Sequence, residues 1–452
     1  MVYKSHAPSA RPGSITARGD APFARYRDIT HALSHEAGDD PLYVLYPAVI
    51  ENQAKRFVTG LDANILYAVK ANPHPLVLQT LWQSGVRHFD VASQREISAV
   101  RAVLPEATLY LMHPVKSRGT IAAAFAAGVR HFAVDCAEEL AKMEDVIGDL
   151  SELTVHVRIS LSESGGHDAA AMPLTGKFGT RGKAAVNVLN RVAATRARLG
   201  ATFHVGSQCL SPVAYGEAIA AVRVLIDAAG VSLTSLDVGG GFPVAYPGMA
   251  CPDWSAYFTA IEAARCTHGF ATTRMLAEPG RALVAEAGST LTRIELRKGR
   301  DLYLNEGTYG SLFDAGTCGW RYPVSLYTDR YGPFVSLGDH HDQPQTAFRF
   351  FGPTCDSIDR MDGPFMLPDS AREGDWIEIH NLGAYGQVMA TRFNGFYGTR
   401  TIVIEDAGLA TAPPPPPPTH PPGAGTRGRP PQSKKSKQKT TNNTVHSTMK
   451  QI

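Results

Sequence analysis

The chain has 452 residues, 44% of them hydrophobic and 19% charged, enough for one large domain and a smaller one without disulfide or metal staples. A formal net charge of +2 leaves no broad basic face for nucleic acid or anionic membrane, and no apolar stretch approaches the roughly 20 residues of a membrane span. A small-molecule partner is the expectation. Cys136, Cys209, Cys251, Cys266, Cys318 and Cys355 show no CxxC pairing, so neither a disulfide framework nor a metal site is suggested. Reduced thiols point to the cytoplasm.

Residues 1–40 read as an N-terminal arm, rich at its start in Ala, Arg, Ser and Gly. From Ile65 to Leu283 short apolar runs alternate with helical patterns: ILYAV, VRHFDV, TLYLMH, VRHFAV, TVHVRIS, TFHVG, SLDVGG and RMLAEPG. Strands separated by helices pair in parallel through crossovers, and eight such units match a closed (β/α)8 TIM barrel, with an open doubly wound sheet as the competing α/β arrangement. GVRHFDVAS (Gly85–Ser93) returns as GVRHFAVDC (Gly128–Cys136), a repeated plan that favours the barrel. Asn72 with Pro73 predicts a helix start, and Ser93 with Glu96 a capping box. The barrel is expected over 41–283. Beyond it STLTRIELR, DLYLNEG, DWIEIHN, FNGF and TIVIED predict strands of an all-β domain over 284–407, to which PLYVLYP from the N-terminal segment adds a strand. Residues 408–452, proline-rich and then lysine-rich, read as a disordered tail.

Barrels of this kind carry their chemistry at the C-terminal ends of the strands. The expected strand ends hold Lys70, Asp90, Arg158, His204 with Ser207, Gly239 to Gly241, and Glu278 with Arg281. A lysine at the mouth of a buried strand either snorkels to solvent or, if desolvated, has a lowered pKa and a neutral amine able to condense with an aldehyde. The three glycines of DVGGGFP let backbone N–H groups approach an anion, and with Ser207 and Arg281 they form a phosphate cradle. No G-x-x-x-x-G-K-[ST] segment is present, so a nucleotide P-loop is not indicated. An aldehyde partner plus a phosphate cradle suggests pyridoxal phosphate, with Glu278 suited to the pyridine nitrogen and His204 either stacked on the ring or structural.

YAVKAN, FDVAS, HVGSQ, DVGGGFP, EPGR, GPTCDSIDRM and GAYGQVMATRFNGF, in this order over residues 40 to 405, resemble the fold-type III pyridoxal-phosphate-dependent group IV decarboxylases, closest to the ornithine decarboxylases. The resemblance implies an alanine-racemase-type barrel with a β-domain, and a homodimer whose active sites lie between subunits. By motif it implies Lys70 as the covalent cofactor lysine, Glu278 at the pyridine nitrogen and His204 on the ring. Ser207, Gly239, Gly240, Gly241, Arg281 and Tyr385 would hold the phosphate, with Asp90, Glu96 and Arg158 in support. From the second subunit, Cys355 would protonate the former α-carbon and Asp356 would hold the distal amine of the substrate. Tyr309 and Phe393 would line the substrate site.

The implied reaction is α-decarboxylation of a basic L-amino acid, ornithine to putrescine first, with lysine or diaminopimelate as alternatives. The Asp of CDS suits a terminal ammonium, whereas diaminopimelate enzymes carry Glu in a CES version. Two departures touch the side-chain pocket: GSLFDAGTCGWRYPV after Tyr309 replaces a loop bearing a substrate-binding aspartate, for which Asp314 is the substitute, and SESGGHDAAAMPLTGKFG is longer than the family's loop. Rival readings are a racemase, a catalytically inactive homologue that binds a decarboxylase regulator, and a cofactor-homeostasis protein, which would lack the β-domain.

Overall fold

Short apolar strands with helices between them must bury both faces, and a sheet closed on itself inside a ring of helices does so without leaving an edge. The computed structural model, which describes residues 23–161, 170–172, 176–337 and 344–405, has that arrangement. Eight parallel strands, Asn64–Ala68, His88–Asp90, Thr108–Leu111, His131–Val134, Thr154–Arg158, Arg198–Thr202, Ser235–Asp237 and Arg274–Ala277, pair in sequence order, and the last returns to the first through Leu276 opposite Asn64. The start of the N-terminal arm, the Pro/Lys-rich tail and most of the SESGGHDAAAMPLTGKFG loop lie outside the described residues. Among the described residues no helix is long and apolar enough to cross a membrane.

The crossover helices carry one apolar stripe each. In Gly182–Ala193 the buried residues are Ala185, Val188, Leu189 and Val192, the spacing of a face turned to the sheet. The two GVRHF segments occupy matching places. Gly85 (φ +99°) and Gly128 (φ +82°) follow a helix in the left-handed region, and His88 and His131 each open the next strand. Ser93 Oγ accepts from the Glu96 backbone N–H at 3.2 Å while Glu96 Oε2 accepts from Ala92 N at 2.6 Å, a capping box displaced by one residue.

Three local expectations change. The sixth barrel strand is Arg198–Thr202 rather than TFHVG, whose last four residues form the exit loop. Gly200 explains the misreading: a Cβ there would meet the His156 ring at 2.4 Å, so the strand carries a glycine where an apolar run is expected. The helix after the first strand starts at Pro75 with His74 as its cap, and Asn72 is buried. FNGF is a single helical turn, Phe393–Gly395, with Asn394 at φ +53°, and pairs with no strand.

From Gly288 onward the chain builds a ten-stranded mixed sheet. Leu42–Leu45, which precedes the barrel, lies between Gly288–Lys298 and Arg400–Ile404 in that sheet. The strands Val324–Thr328, Gln345–Phe351 and Arg360–Pro368 and the short helix Phe313–Thr317 are additions to the sequence reading. Arg360–Pro368 contains Gly363-Pro364, a pair that reads as a turn. Barrel and sheet meet behind Lys70. There Asn72 Nδ2 donates to Tyr43 Oη at 2.9 Å and to the Gly383 carbonyl at 2.8 Å, and the Tyr385 N–H donates to the Ala71 carbonyl at 2.9 Å.

Candidate active site

A cavity of about 310 Å³ opens at the C-terminal ends of the barrel strands. Of the residues singled out above, Lys70, His204, Ser207, Gly240, Gly241, Glu278, Arg281, Asp314 and Tyr385 line it. A larger hollow of about 600 Å³ is bordered by Glu295, Tyr303, Phe351, Asp356, Asp359 and Arg360, and of the residues singled out above it holds Asp356 alone.

Lys70 sits two residues past the first strand, in the single turn Val69–Ala71. Gly280 makes room for this turn, since a Cβ there would lie 3.2 Å from both Ala68 Cβ and Ala71 Cβ. The Lys70 side chain keeps 50% of its surface accessible along the cavity, and its Nζ lies 3.8 Å from Asp90 Oδ2. Burial alone pulls the ammonium pKa down, as the sequence reading expects. The negative field of Asp90, Tyr385 and Glu278 outweighs it, however, and the amine titrates above its ordinary value. The expected depressed pKa is thus corrected: the shift at Lys70 is upward.

Those carboxylates are crowded. Burial, then Asp237, drive Glu278 well above the ordinary carboxylate range, and the two carboxyl groups hydrogen-bond to each other, which requires a shared proton. Asp237 accepts from Thr202 Oγ1 at 2.8 Å and from the Gly239 N–H at 2.9 Å, so its place is fixed from below. Glu278 Oε1 is buried with no hydrogen-bond partner. Burial and the neighbouring Glu278 charge raise Asp90 from 3.8 to about 8. An unfolded Asp90 releases its proton near 3.8 while the native one keeps it to about 8, so stability from this residue is present at low pH and is lost as pH rises through that window. Asp90→Asn is therefore expected to flatten the fall in melting temperature of the cofactor-free protein between these pH values. An unaltered melting curve would show that Lys70 already neutralises the group.

His204 lies in the loop after the sixth strand. Its Nδ1 accepts from the Gly206 N–H at 2.9 Å, which fixes a neutral ring with its proton on Nε2, and burial followed by Arg158 and Lys70 holds its pKa well below the ordinary value. The glycine triplet divides its work. Gly239 (φ +68°) takes no part in lining the cavity; its carbonyl accepts from the Glu278 N–H at 2.8 Å. Gly240 and Gly241 do face it, and a Cβ on Gly240 would stand 3.1 Å from His204 Nε2. Asp90, Glu96 and Arg158 stand outside the lining, Glu96 holding Ala92 as described and Arg158 acting on Glu278 and His204 through its charge.

Arg281 is 7% exposed, with its guanidinium carbon 4.5 Å from the Trp320 ring centre and 4.7 Å from that of Tyr385. Nη1 donates to Tyr246 Oη at 3.2 Å, Nη2 lies 3.9 Å from Asp314 Oδ2, and Nε has no partner. Tyr385 is held at φ +59°, a conformation in which a non-glycine residue is strained and which here keeps its ring against Arg281. Trp320, Tyr246 and Asp237 escape the sequence reading, because single aromatics read as core and an acid before glycines reads as a turn.

Cys355, Asp356, Tyr309 and Phe393 form a second group, and none of them is among the described residues lining the Lys70 cavity. Tyr309 Oη donates to Asp356 Oδ2 at 2.5 Å, and the Tyr309 and Phe393 rings are 4.7 Å apart. Asn394, not singled out above, fixes the exposed Cys355. Its Oδ1 accepts from the Cys355 backbone N–H at 3.3 Å, so the same oxygen, 3.1 Å from Sγ, accepts the thiol hydrogen. The segment from Tyr385 to Asn394 joins both groups, with Met389 lining the Lys70 cavity. Around this second group Ile358, Phe393, Phe396 and Tyr397 are exposed, the last at 58%.

Residues 48–285 match the family described as pyridoxal-dependent decarboxylase, pyridoxal binding domain. The chain belongs to this decarboxylase family. It is 35% identical over 353 residues to the lysine/ornithine decarboxylase of Selenomonas ruminantium, covering 76% of this chain and 84% of that one. It is 32% identical over 395 residues to the ornithine decarboxylase of Panagrellus redivivus, covering 81% and 86%. The structure of a lysine/ornithine decarboxylase from Vibrio vulnificus complexed with cadaverine superposes with a TM-score of 0.68 at 28% identity, over 82% of this chain and 96% of that one.

Pyridoxal phosphate is the cofactor of a pyridoxal-dependent decarboxylase, and the cavity fits it. The orphaned Glu278 Oε1 lacks the donor that a protonated pyridine nitrogen supplies. The free Arg281 Nε, the Ser207 hydroxyl and the space left by Gly240 and Gly241 provide donors and room for a phosphate. This decarboxylase is a carboxy-lyase by family.

Proposed function

We propose that this chain removes the α-carboxylate of a basic L-amino acid, ornithine first, giving putrescine and CO2. The convergence of Lys70, the unpartnered Glu278 Oε1 and the Arg281 cradle on one cavity carries the reading. When bound, the cofactor supplies the electron sink for the pair left behind as CO2 departs. Lys70 would hold the cofactor covalently and would supply the amine that frees the product. Glu278 keeps a proton on the pyridine nitrogen, and neutral His204 lies against the ring without adding charge.

Ser207, Gly240, Gly241, Arg281 and Tyr385 hold the phosphate, with Gly239 setting the position of Glu278. Asp90, Glu96 and Arg158 hold Lys70 and the acid pair in place. Asp314 reaches the cavity beside Arg281, whereas Asp356, anchored by Tyr309, binds the distal ammonium, with Phe393 packed against it. Two relatives bear lysine/ornithine or ornithine decarboxylase in their names, which supports a basic substrate. Side-by-side CO2 release from ornithine, lysine, arginine and diaminopimelate tests this. Ornithine is expected to lead, with lysine within roughly 10- to 200-fold because the two differ by one methylene. A preference for diaminopimelate would overturn the Asp356 assignment. No CO2 from any of them, with no visible cofactor absorbance, would favour the regulatory-homologue reading.

Cys355 and Asp356 lie outside the Lys70 cavity on an apolar exposed face, which supports a homodimer in which each subunit lends them to its partner's cavity. Cys355 then gives its proton to the former α-carbon. Mixing Lys70→Ala with Cys355→Ala subunits, each inactive alone, is expected to restore about a quarter of native activity, since half of random dimers carry one intact site of two. Zero recovery in demonstrably mixed dimers would place both residues in the same subunit's site.

A further inference from the structure

The opposite end of the barrel holds a second cavity of about 310 Å³. Its wall includes the first residues of five strands, His131, Thr154, Arg198, Ser235 and Arg274, together with Tyr110. Barrel interiors are ordinarily filled with branched aliphatic side chains. Here the lining carries two guanidinium groups and no carboxylate.

Arg198 is held by neutral groups only, Nε donating to Thr154 Oγ1 at 3.2 Å and Nη2 to the Glu152 carbonyl at 2.8 Å. Arg274 forms no ion pair and no side-chain hydrogen bond among the described residues. The His131 ring is stacked 4.0 Å from Tyr110, and its Nδ1 is buried without a partner. Burial first, and then the positive charges of Arg198, His88 and Arg274, bring His131 to about 4. The imidazole is thus neutral at physiological pH, and the two arginines carry the charge of the cavity.

Both arginines are exposed at the mouth of the cavity, and with the Thr154 and Ser235 hydroxyls beside them and no carboxylate in the lining they set a positive potential that an anion relieves. We propose that this floor cavity binds one small oxyanion of the inorganic phosphate type between Arg198 and Arg274. The site is separate from the cofactor cradle, because Arg281 and the glycine pair stand at the other end of the strands.

The test uses cofactor-loaded protein in a phosphate- and sulfate-free buffer at constant ionic strength, titrated with inorganic phosphate by calorimetry. Expected is one saturable site per chain, a melting temperature that climbs with phosphate, and unchanged cofactor absorbance. Arg274→Gln removes a guanidinium that holds nothing else in the protein, so it is expected to fold and to weaken binding about tenfold or more, the effect of one charge-assisted contact. Arg274→Lys keeps the charge and is expected to retain part of the affinity. Absence of saturable binding at tens of millimolar phosphate overturns the proposal. So does equal affinity in native and Arg274→Gln protein, or an identical thermal shift with chloride.

Discussion

Lys70→Ala protein, supplied with pyridoxal phosphate, is expected to release CO2 about a thousandfold more slowly than the native chain. It is also expected to show no covalently attached cofactor after borohydride reduction, where native protein yields a labelled Lys70 peptide. The size of the loss follows from what the amine does. In the proposed reading the amine would attach the cofactor and would serve as the base that lets product leave, so its removal would cost more than one function at once. Asp90 at 3.8 Å and the nearby Glu278 hold the free amine as an ammonium. Attachment therefore requires that proton to be lost first, and the rate of cofactor uptake by native protein is expected to rise with pH. Full turnover by Lys70→Ala, or labelling of a different lysine, would end the assignment.

The second large effect is expected at Glu278. Glu278→Gln keeps the shape of the side chain but would remove the charge that the proposed reading sets opposite the pyridine nitrogen, and preorganised charge of this kind in a water-poor site is worth about 3–4 kcal/mol, or 100- to 1000-fold in rate. The same change relieves the strained acid pair, because burial and Asp237 drive the Glu278 pKa well above its ordinary range. Cofactor-free Glu278→Gln is thus expected to melt at a higher temperature than native protein at neutral pH while turning over far more slowly, the opposite signs marking a group kept for chemistry at the expense of stability. A variant that is both less stable and fully active would show that Glu278 is a packing residue.

The barrel is legible in the sequence because its strands are buried on both faces and therefore read as continuous apolar runs, and because the GVRHF repeat exposes the unit length. Gly200 hides the sixth strand, since the reason for the glycine is the His156 ring on a neighbouring strand, a contact that no local pattern carries. The added sheet strands elude reading for a similar reason. Gly363-Pro364 looks like a turn, and it does bend the chain locally, Gly363 standing at φ +67° where the pairing with Gln345–Phe351 shifts register, while the strand resumes on either side. At the site, Lys70, Glu278 and Arg281 stand out because a charged residue beside a strand end is unusual enough to notice, whereas Tyr385 is legible only through the resemblance that GAYG carries. Trp320, Tyr246, Asp237 and Asn394 act through partners 35 to 41 residues away, and only the folded chain brings them into view.

Asn72 reaches from the Lys70 turn to a hydroxyl on Tyr43 and a carbonyl on Gly383, which belong to opposite ends of the chain. The nucleophile is consequently aimed by a three-point brace whose outer struts are synthesised first and last. An isolated barrel truncated after Leu283 would keep the lysine and lose the Gly383 strut of this brace.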